Sequence, residues 1–372
     1  MSVDQKGDIP FTKIVNNKTV DGGQWDGSSY YNDKTDKFYI FGGLNGSYPE
    51  DEANPTFSVL DLKTLVWTNL LGSDTPAPRA EAMLWGDENG KYVYLSGGRG
   101  PFRRGKDLTF NDTFAYNVME SKWYQIYQTP EQQQLANRST EAKVVGNKAY
   151  AYAGTSSTMS SFINKPGAIQ TNVIVYEDIK GWKNVTVNCD KCKDQCIPTP
   201  RGHHHLCYNK ERNSLFTYGG YTKDSNGTSS FAPTNYLEDL WEFNLENSTW
   251  TQHMNSTNVT PGLRDNGKFV YCNKDVLYMI GGSDYNSKNF IDLWKYQFKT
   301  KSWEFVSASA LLDENNNAIK PPTPIGSYYF SRNDAYGNHE FWIFSGASSE
   351  FQPSIFENKL WRLTVTKKND RL

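Results

Sequence analysis

Short apolar runs that end in glycine recur along the whole chain. Residues 37–41 precede the pair Gly42-Gly43, and residues 92–96 precede Gly97-Gly98. Runs of this length, rich in aromatic and β-branched residues, are typical of strands, and the glycines mark backbone positions with unusual torsion angles. The same signal returns at Gly154, Gly219-Gly220, Gly281-Gly282 and Gly346. The repetition predicts six copies of one structural unit.

Further strand-like segments accompany each glycine signal. One precedes it, as residues 80–85 do, and another follows it, as residues 56–61 and 239–244 do. The last segment opens with tryptophan, which gives the series Trp67, Trp123, Trp182, Trp250 and Trp303. The unit therefore has four predicted strands and a period of roughly 53–68 residues, close to that of propeller blades.

With these marks in this order, the chain resembles the kelch repeat family. A Pro-Arg pair ahead of the next unit completes the pattern at Pro78-Arg79 and Pro200-Arg201, whereas Asn137-Arg138 and Leu263-Arg264 keep only the arginine. The resemblance covers essentially the whole chain. It implies an all-β, six-bladed kelch-type β-propeller with four antiparallel strands per blade. It implies little about function, because one fold can carry many functions.

The two ends of the chain indicate how the ring closes. Only five tryptophan-led strands follow the glycine signals, and residues 11–15 match residues 67–71 with Phe11 in place of Trp67. The N-terminus is therefore predicted to supply the outer strand of the last blade, which leaves no long open edge. The single predicted domain, residues 1–372, then divides into blades at about residues 24–72, 79–128, 138–187, 201–254, 264–307, and 325–366 with 11–15.

Composition narrows the function classes. The 39 basic and 41 acidic residues give a formal net charge of −2, which argues against nucleic-acid binding driven by global charge. Aromatic residues reach 15%, far more than disordered chains carry. No apolar run approaches the ~18 residues of a membrane span.

Strand order assigns the connections to two faces. The loops between second and third strands share one face with the loops between blades, and the remaining turns share the other. The first face carries long loops, at residues 44–55, 99–111, 155–171, 188–199, 221–234 and 308–321. Long loops on one face of a rigid ring are typical of a binding surface, although simple insertion also produces them.

Two sets of basic residues are candidate binding residues on that face. The first set is the arginines at the starts of blades 2 to 5, namely Arg79, Arg138, Arg201 and Arg264. Guanidinium groups around one channel mouth could bind carboxylate or phosphate, or they could tie neighbouring blades together. The second set is a basic loop with Arg99, Arg103, Arg104 and Lys106, which could dock an acidic partner.

Histidine and cysteine residues raise further possibilities. His203 and His205 alternate with His204, so two imidazoles on one strand face could bind metal, titrate near neutral pH or simply line the channel. Cys189, Cys192 and Cys196 crowd one loop, where disulfides, a zinc site and reduced thiols all remain open. Cys207 and Cys272 are expected as thiols on buried strands.

Glycosylation sequons weakly favour an extracellular location. Nine Asn-x-Ser/Thr motifs occur, of which Asn111 and Asn247 also suit repeat turns. The other candidates for glycan attachment are Asn17, Asn45, Asn137, Asn184, Asn226, Asn255 and Asn258. We therefore expect a secreted or cell-surface ectodomain that has lost its signal peptide. The N-terminal residues show no apolar signal core, which keeps a cytoplasmic location as the alternative.

The leading hypothesis is a non-catalytic recognition or scaffold module that binds a protein or peptide through its loop-rich face, with an acidic partner as one candidate. The sequence contains no nucleophile elbow, P-loop or HExxH motif, so an enzyme is the less favoured interpretation. No cofactor is expected. The alternative is a secreted carbohydrate-binding or galactose-oxidase-like enzyme domain that uses the channel mouth.

Overall fold

The computed structural model describes residues 11–14, 25–45, 52–103, 106–156, 172–178, 180–189, 197–222, 235–284, 286, 288–307, 311–312, 318–319, 326–345 and 360–365. Within these ranges, six antiparallel sheets of four strands form the blades of a β-propeller. In each of blades 1 to 5, the strands follow the chain in order from the inner strand at the channel to the outer strand.

The strand bounds match the repeating unit. Blade 1 consists of Ser28–Asn32, Lys37–Phe41, Phe57–Asp61 and Val66–Asn69. Blade 2 consists of Met83–Gly86, Tyr92–Ser96, Thr113–Asn117 and Lys122–Ile126. Blade 3 consists of Lys143–Val145, Lys148–Tyr152, Val173–Glu177 and Gly181–Asn184. Blade 4 consists of His205–Asn209, Ser214–Tyr218, Leu240–Asn244 and Thr249–His253. Blade 5 consists of Lys268–Cys272, Val276–Ser283, Asn289–Gln297 and Ser302–Ser307.

Blade 6 joins the two ends of the chain. Its first three strands are Tyr328–Asn333, His339–Phe344 and Leu360–Val365. The fourth is Phe11–Ile14, which pairs antiparallel with the third and places Phe11 opposite Leu363. This pairing confirms the predicted closure by an N-terminal strand, so the outer edge of the Leu360–Val365 strand is covered.

Small additional elements decorate the connections. One short helix, Pro130–Gln133, follows blade 2, where Thr129 and Gln132 form a capping box. Three short hairpins pair Leu44–Asn45 with Glu52–Ala53, Arg99–Arg103 with Lys106–Thr109, and Leu311–Leu312 with Ala318–Ile319. A fourth short pair joins Asn137–Arg138, ahead of blade 3, with Thr155–Ser156, after its second strand. All four of these two-stranded pairs lie in the connections that the sequence assigns to the loop-rich face.

The apolar core lies between blades. Six clusters of buried residues each combine side chains from two neighbouring blades. The outer-strand tryptophans contribute to this packing, because each lies against the preceding blade. The ring of Trp67 is 4.8 Å from that of Phe344 in blade 6, and the ring of Trp250 is 4.7 Å from that of Tyr152 in blade 3. Burial of these large rings stabilises the contact between blades.

The glycine pairs also join neighbouring blades. Gly42 has φ +66°, and a Cβ there would lie 1.8 Å from the carbonyl oxygen of Arg79 in the next blade. The amide of Gly43 donates to that same carbonyl at 2.9 Å. Only glycine allows both the left-handed backbone and this close approach, which explains why the signal recurs in the sequence.

Candidate functional site

The two faces of the ring differ in the length of their connections. On one face, the described turns are tight and capped by their own side chains. For example, Asn32 Oδ1 accepts hydrogen bonds from the amides of Lys34 and Thr35, both at 3.0 Å. The other face carries the three hairpins, the fourth two-stranded pair and the long loops, with many of the loop residues outside the described part of the chain. The loop-rich face is therefore the candidate binding surface.

Three of the blade arginines are internal braces. The guanidinium groups of Arg79, Arg201 and Arg264 contact Asp112, Asp239 and Asp292 at 2.5, 2.6 and 2.8 Å. Each Nη1 also donates to a glycine carbonyl in its blade, at 2.9–3.1 Å. Because each acid lies just ahead of or beside a third strand, the side chains extend away from the channel.

These contacts correct the prediction of a ring of binding arginines. The three side chains are at most 1% exposed, so a partner on the surface cannot reach their charge. Their guanidinium groups are already paired with carboxylates in the same blade. The alternative interpretation, in which these arginines tie the structure together, agrees with the geometry.

Arg138 occupies a different position from the other three arginines. The amide of the second glycine in a pair donates to a carbonyl of the next blade. In blade 3 this carbonyl belongs to Asn137, whereas in blades 2 and 5 it belongs to Arg79 and Arg264. Asn137 Nδ2 donates to the carbonyl of Ala153 at 2.8 Å and so replaces one contact of the arginine. Arg138 is therefore one residue out of register, and its buried charge acts on Glu81.

A ring of left-handed residues lies where the channel opens on the loop-rich face. The members are Asp26, Glu81, Ser139, His203, Asn266 and Gly326, with φ values between 52° and 59°. The amides of Glu81, Ser139, His203 and Asn266 each donate to the carbonyl of the member one blade earlier, at 2.8–3.3 Å. A left-handed non-glycine residue is uncommon, but five of them at equivalent positions, with a glycine at the sixth, indicate architecture rather than local strain.

We call this set of six residues the mouth ring. Sequence reasoning missed it, although a signal is present. Each member lies two residues after the blade arginine or its equivalent, and most are types that tolerate left-handed torsion angles, such as aspartate, asparagine and glycine.

Side chains of the mouth ring form a connected polar network. Arg99 Nε donates to Glu81 Oε1 at 2.5 Å, while the Ser139 hydroxyl donates to Glu81 Oε2. His203 Nε2 lies 2.9 Å from Ser139 Oγ and 3.4 Å from Glu81 Oε2. Residues of three neighbouring blades, 2 to 4, thus meet at one carboxylate, which is well shielded from water.

This network fixes the protonation of its members. Burial would raise the pKa of Glu81, but Arg99, His203 and Arg138 hold it well below its usual range. Burial would likewise lower the pKa of His203, but its contact with Glu81 and the charges of Asp26 and Asp265 raise it to about 9. Burial raises the pKa of Asp265 to about 6. His203 is therefore a cation paired with Glu81 at neutral pH.

The fold should lose stability as His203 deprotonates. Because the folded pKa is about 9 and the ordinary value is 6.5, this group stabilises the protein fully below pH 6.5, and the gain is lost as pH rises through 9. We expect the free energy of unfolding to fall by about 2 kcal/mol more in the wild type than in His203→Gln across this window. Urea denaturation at pH 6, 7.5 and 9 measures the difference. Equal slopes for the two proteins would show that His203 stays neutral.

A second ionic cluster spans the channel below the mouth ring. Glu141 of blade 3 lies 2.7 Å from Lys143 Nζ and 3.0 Å from Lys268 Nζ of blade 5. The Tyr329 hydroxyl, from blade 6 on the opposite side, donates to the same carboxylate. Burial would raise the pKa of Glu141, but the two lysines hold it well below its usual range. These residues line a cavity of about 370 Å³.

The other two histidines of the triplet are neutral core residues. Burial and the nearby Arg201 lower the pKa of His204 to about 3, and burial lowers that of His205 well below its usual range. The ring of His205 packs edge-on against Tyr218 and Phe269. Among the described residues, no three potential ligands are grouped so as to hold a metal ion.

The basic loop is only partly described. Arg99 is 6% exposed and is paired with Glu81, so it does not present its charge to a partner as predicted. Arg103 lies on the described strand Arg99–Arg103, whereas Arg104 lies outside the described residues. The prediction of an acidic partner therefore depends on residues 103–106.

The cysteine and sequon candidates are distributed as follows. Cys189 is exposed, while Cys192 and Cys196 lie outside the described residues. Asn184 and Asn258 are exposed, and Asn45 and Asn255 are partly exposed. Asn17 and Asn226 fall outside the described part of the chain. Asn137 is 1% exposed, so a glycan there is incompatible with its place beside Ala153.

Six blades of four antiparallel strands around one channel define the class of protein as a β-propeller. Residues 142–310 match the model of the KLHDC2/KLHL20/DRC7 Kelch-repeats domain. This match shows a kelch-repeat domain in the middle blades of the six-bladed propeller, and the other blades carry the same sequence marks. A search of curated proteins found no match to the chain. Within the described ranges, no helix is long and apolar enough to cross a membrane.

Proposed function

We propose that this propeller is a non-catalytic recognition module that binds a protein or peptide partner through its loop-rich face. The observation that carries the proposal is the asymmetry of the ring. The loop-rich face carries all four of the extra two-stranded pairs found in the described residues, whereas the described turns of the opposite face are short and self-capped. Kelch propellers commonly act as protein-interaction modules, which supports the same function.

The chemistry of the channel mouth also favours recognition over catalysis. The reactive side chains there are engaged with one another, since Glu81 contacts Arg99, Ser139 and His203. A general base must be within reach of a substrate proton, and this carboxylate is enclosed by its own partners. The enzyme alternative therefore gains no support from the geometry of the mouth.

An acidic partner is the class that the basic loop would attract. Arg103 and Lys106 are paired at the ends of the two strands of one hairpin on this face, and Arg104 lies between them in the sequence. Asp107 is the only acidic residue in the sequence from 99 to 111, and the next one is Asp112. Basic residues at the rim of an interface steer association and set its salt dependence.

Charge reversal on the two faces tests the proposal. We expect Arg103→Glu with Arg104→Glu to weaken binding of a partner captured from native extract by roughly tenfold, mostly through slower association. The matched control is Lys63→Glu with Lys210→Glu, which makes the same charge change at exposed turns of the opposite face. Quantitative pull-down at two salt concentrations measures both. Equal losses for the two pairs would sink the assignment of the loop-rich face.

A further inference from the structure

Two cysteines from neighbouring blades meet beside the channel. Cys207 lies on the inner strand of blade 4 and Cys272 on the inner strand of blade 5. Their Sγ atoms are 2.8 Å apart, although the residues are 65 positions apart in sequence. Cys272 Sγ is also 3.5 Å from the carbonyl of Tyr208. Both cysteines line the cavity of about 370 Å³.

The two sulfur atoms are closer than in an ordinary contact between two thiols, and only slightly farther apart than in a disulfide bond. A disulfide has sulfur atoms about 2.05 Å apart, so a movement of less than ~1 Å would bring the pair to it. Each inner strand is paired antiparallel with the second strand of its blade, and both cysteines lie in the paired part, which holds the two thiols facing each other. The pair is thus arranged before any oxidant arrives.

The two thiols differ in access. Cys207 is buried, whereas Cys272 is partly exposed. Burial raises the pKa of the Cys207 thiol well above its usual range. A small oxidant that enters the cavity therefore meets Cys272 first, and Cys207 remains as the protonated second thiol.

We propose that Cys207 and Cys272 are a redox modification site, at which a hydroperoxide converts the two thiols to a disulfide that links blades 4 and 5. The Cys272 thiolate attacks one oxygen of hydrogen peroxide, and the O–O bond breaks to give a sulfenic acid and hydroxide. The Cys207 sulfur then attacks the Cys272 sulfur, the S–O bond breaks and water leaves. Overall, two thiols and one hydrogen peroxide give one disulfide and two waters. A small dithiol reduces the disulfide back to two thiols and becomes a disulfide itself.

The bond would restrain the ring from inside. It closes a loop that contains all of the second, third and outer strands of blade 4 and the connection to blade 5. Restricting so long a loop disfavours the unfolded chain. The site is independent of the loop-rich face, so its test does not depend on the proposed function.

Peptide mapping tests the linkage directly. The full-length chain is reduced, treated with stoichiometric hydrogen peroxide, alkylated under denaturing conditions and digested with trypsin. We expect residues 202–210 to be joined to residues 269–274, and the joined peptide to disappear after dithiothreitol. The three loop cysteines fall in other tryptic peptides, residues 184–191, 192–193 and 194–201, so their linkages are separately recognised.

Thermal unfolding provides a second readout with matched variants. Oxidised wild type should unfold roughly 5 °C above the reduced protein. The difference should vanish in Cys272→Ser and persist in Cys189→Ser, which changes an exposed cysteine. Recovery of Cys207 and Cys272 in separately alkylated peptides after oxidation would overturn the proposal. A stability gain that survives in Cys272→Ser would overturn it as well.

Discussion

Replacing Arg201 by methionine should destabilise the protein by about 3–5 kcal/mol, because it leaves a partly buried carboxylate without its partner. Arg201 Nη1 and Nη2 contact the two oxygens of Asp239 at 2.6 and 2.9 Å. Nε and Nη1 also donate to the carbonyls of Thr199 and Gly219. Asp239 keeps only its bond from the Trp241 indole at 2.7 Å among these contacts. We expect the unfolding temperature to fall by roughly 10 °C in scanning fluorimetry.

Two further variants separate this brace from an ordinary loss of charge. Arg201→Lys keeps the charge but loses the planar fork, so an intermediate loss is expected. Lys34→Met removes an exposed ion pair with Glu88 at 3.2 Å and should cost less than ~0.5 kcal/mol. A loss in Arg201→Met no larger than that in Lys34→Met would show that the arginine does not brace its blade.

Deleting residues 1–16 should have an equally large effect, because it removes the outer strand of blade 6. The Phe11–Ile14 strand pairs with Leu360–Val365 along its whole length. Without it, the ladder hydrogen bonds of that edge are unmade and the edge is free to pair with another molecule. We expect an apparent unfolding temperature roughly 10 °C or more below that of the full chain, with aggregation visible by light scattering.

The C-terminal tail provides the control for this deletion. Removing residues 367–372 takes away polar residues that follow the last blade strand, and it should leave the unfolding temperature unchanged. A tail deletion as damaging as the head deletion would place the closing contact at the C-terminus. The assignment of the outer strand of blade 6 would then be wrong.

The blades could be predicted because their signals are local. A strand that ends in glycine is determined by torsion angles and by the carbonyl of the next blade, as at Gly42. The tryptophans at the starts of outer strands were similarly informative, since each fills the space against the preceding blade. The closure of the ring could be predicted by comparing the repeats, because residues 11–15 resemble the outer strand that blade 6 would otherwise lack.

The functional residues were harder because their roles depend on register and on distant partners. Arg138 was grouped with the blade arginines by residue type, but the spacing to the glycine pair assigns that role to Asn137. The same shift removes Asn137 from the plausible glycan sites. Counting back from the glycine pair, rather than matching arginines, would have avoided this error.

Contacts across the channel leave no sequence signal at all. Glu141 and Tyr329 are 188 residues apart, and each looks like an ordinary strand residue. The pairing of Cys207 with Cys272 is similar, because the loop cysteines formed the more obvious cluster. Closure of the ring brings such pairs together, and only the three-dimensional arrangement shows which side chains meet.

Site-specific photo-cross-linking is the most direct test of the claim that partners bind the loop-rich face. A benzophenone amino acid is placed at Glu52, which is exposed on the hairpin of blade 1, and separately at Lys210, which is exposed on the opposite face. After irradiation with the captured partner, we predict a cross-linked product from position 52 and none above background from position 210. A product from position 210 alone, or equal products from both positions, would contradict the account.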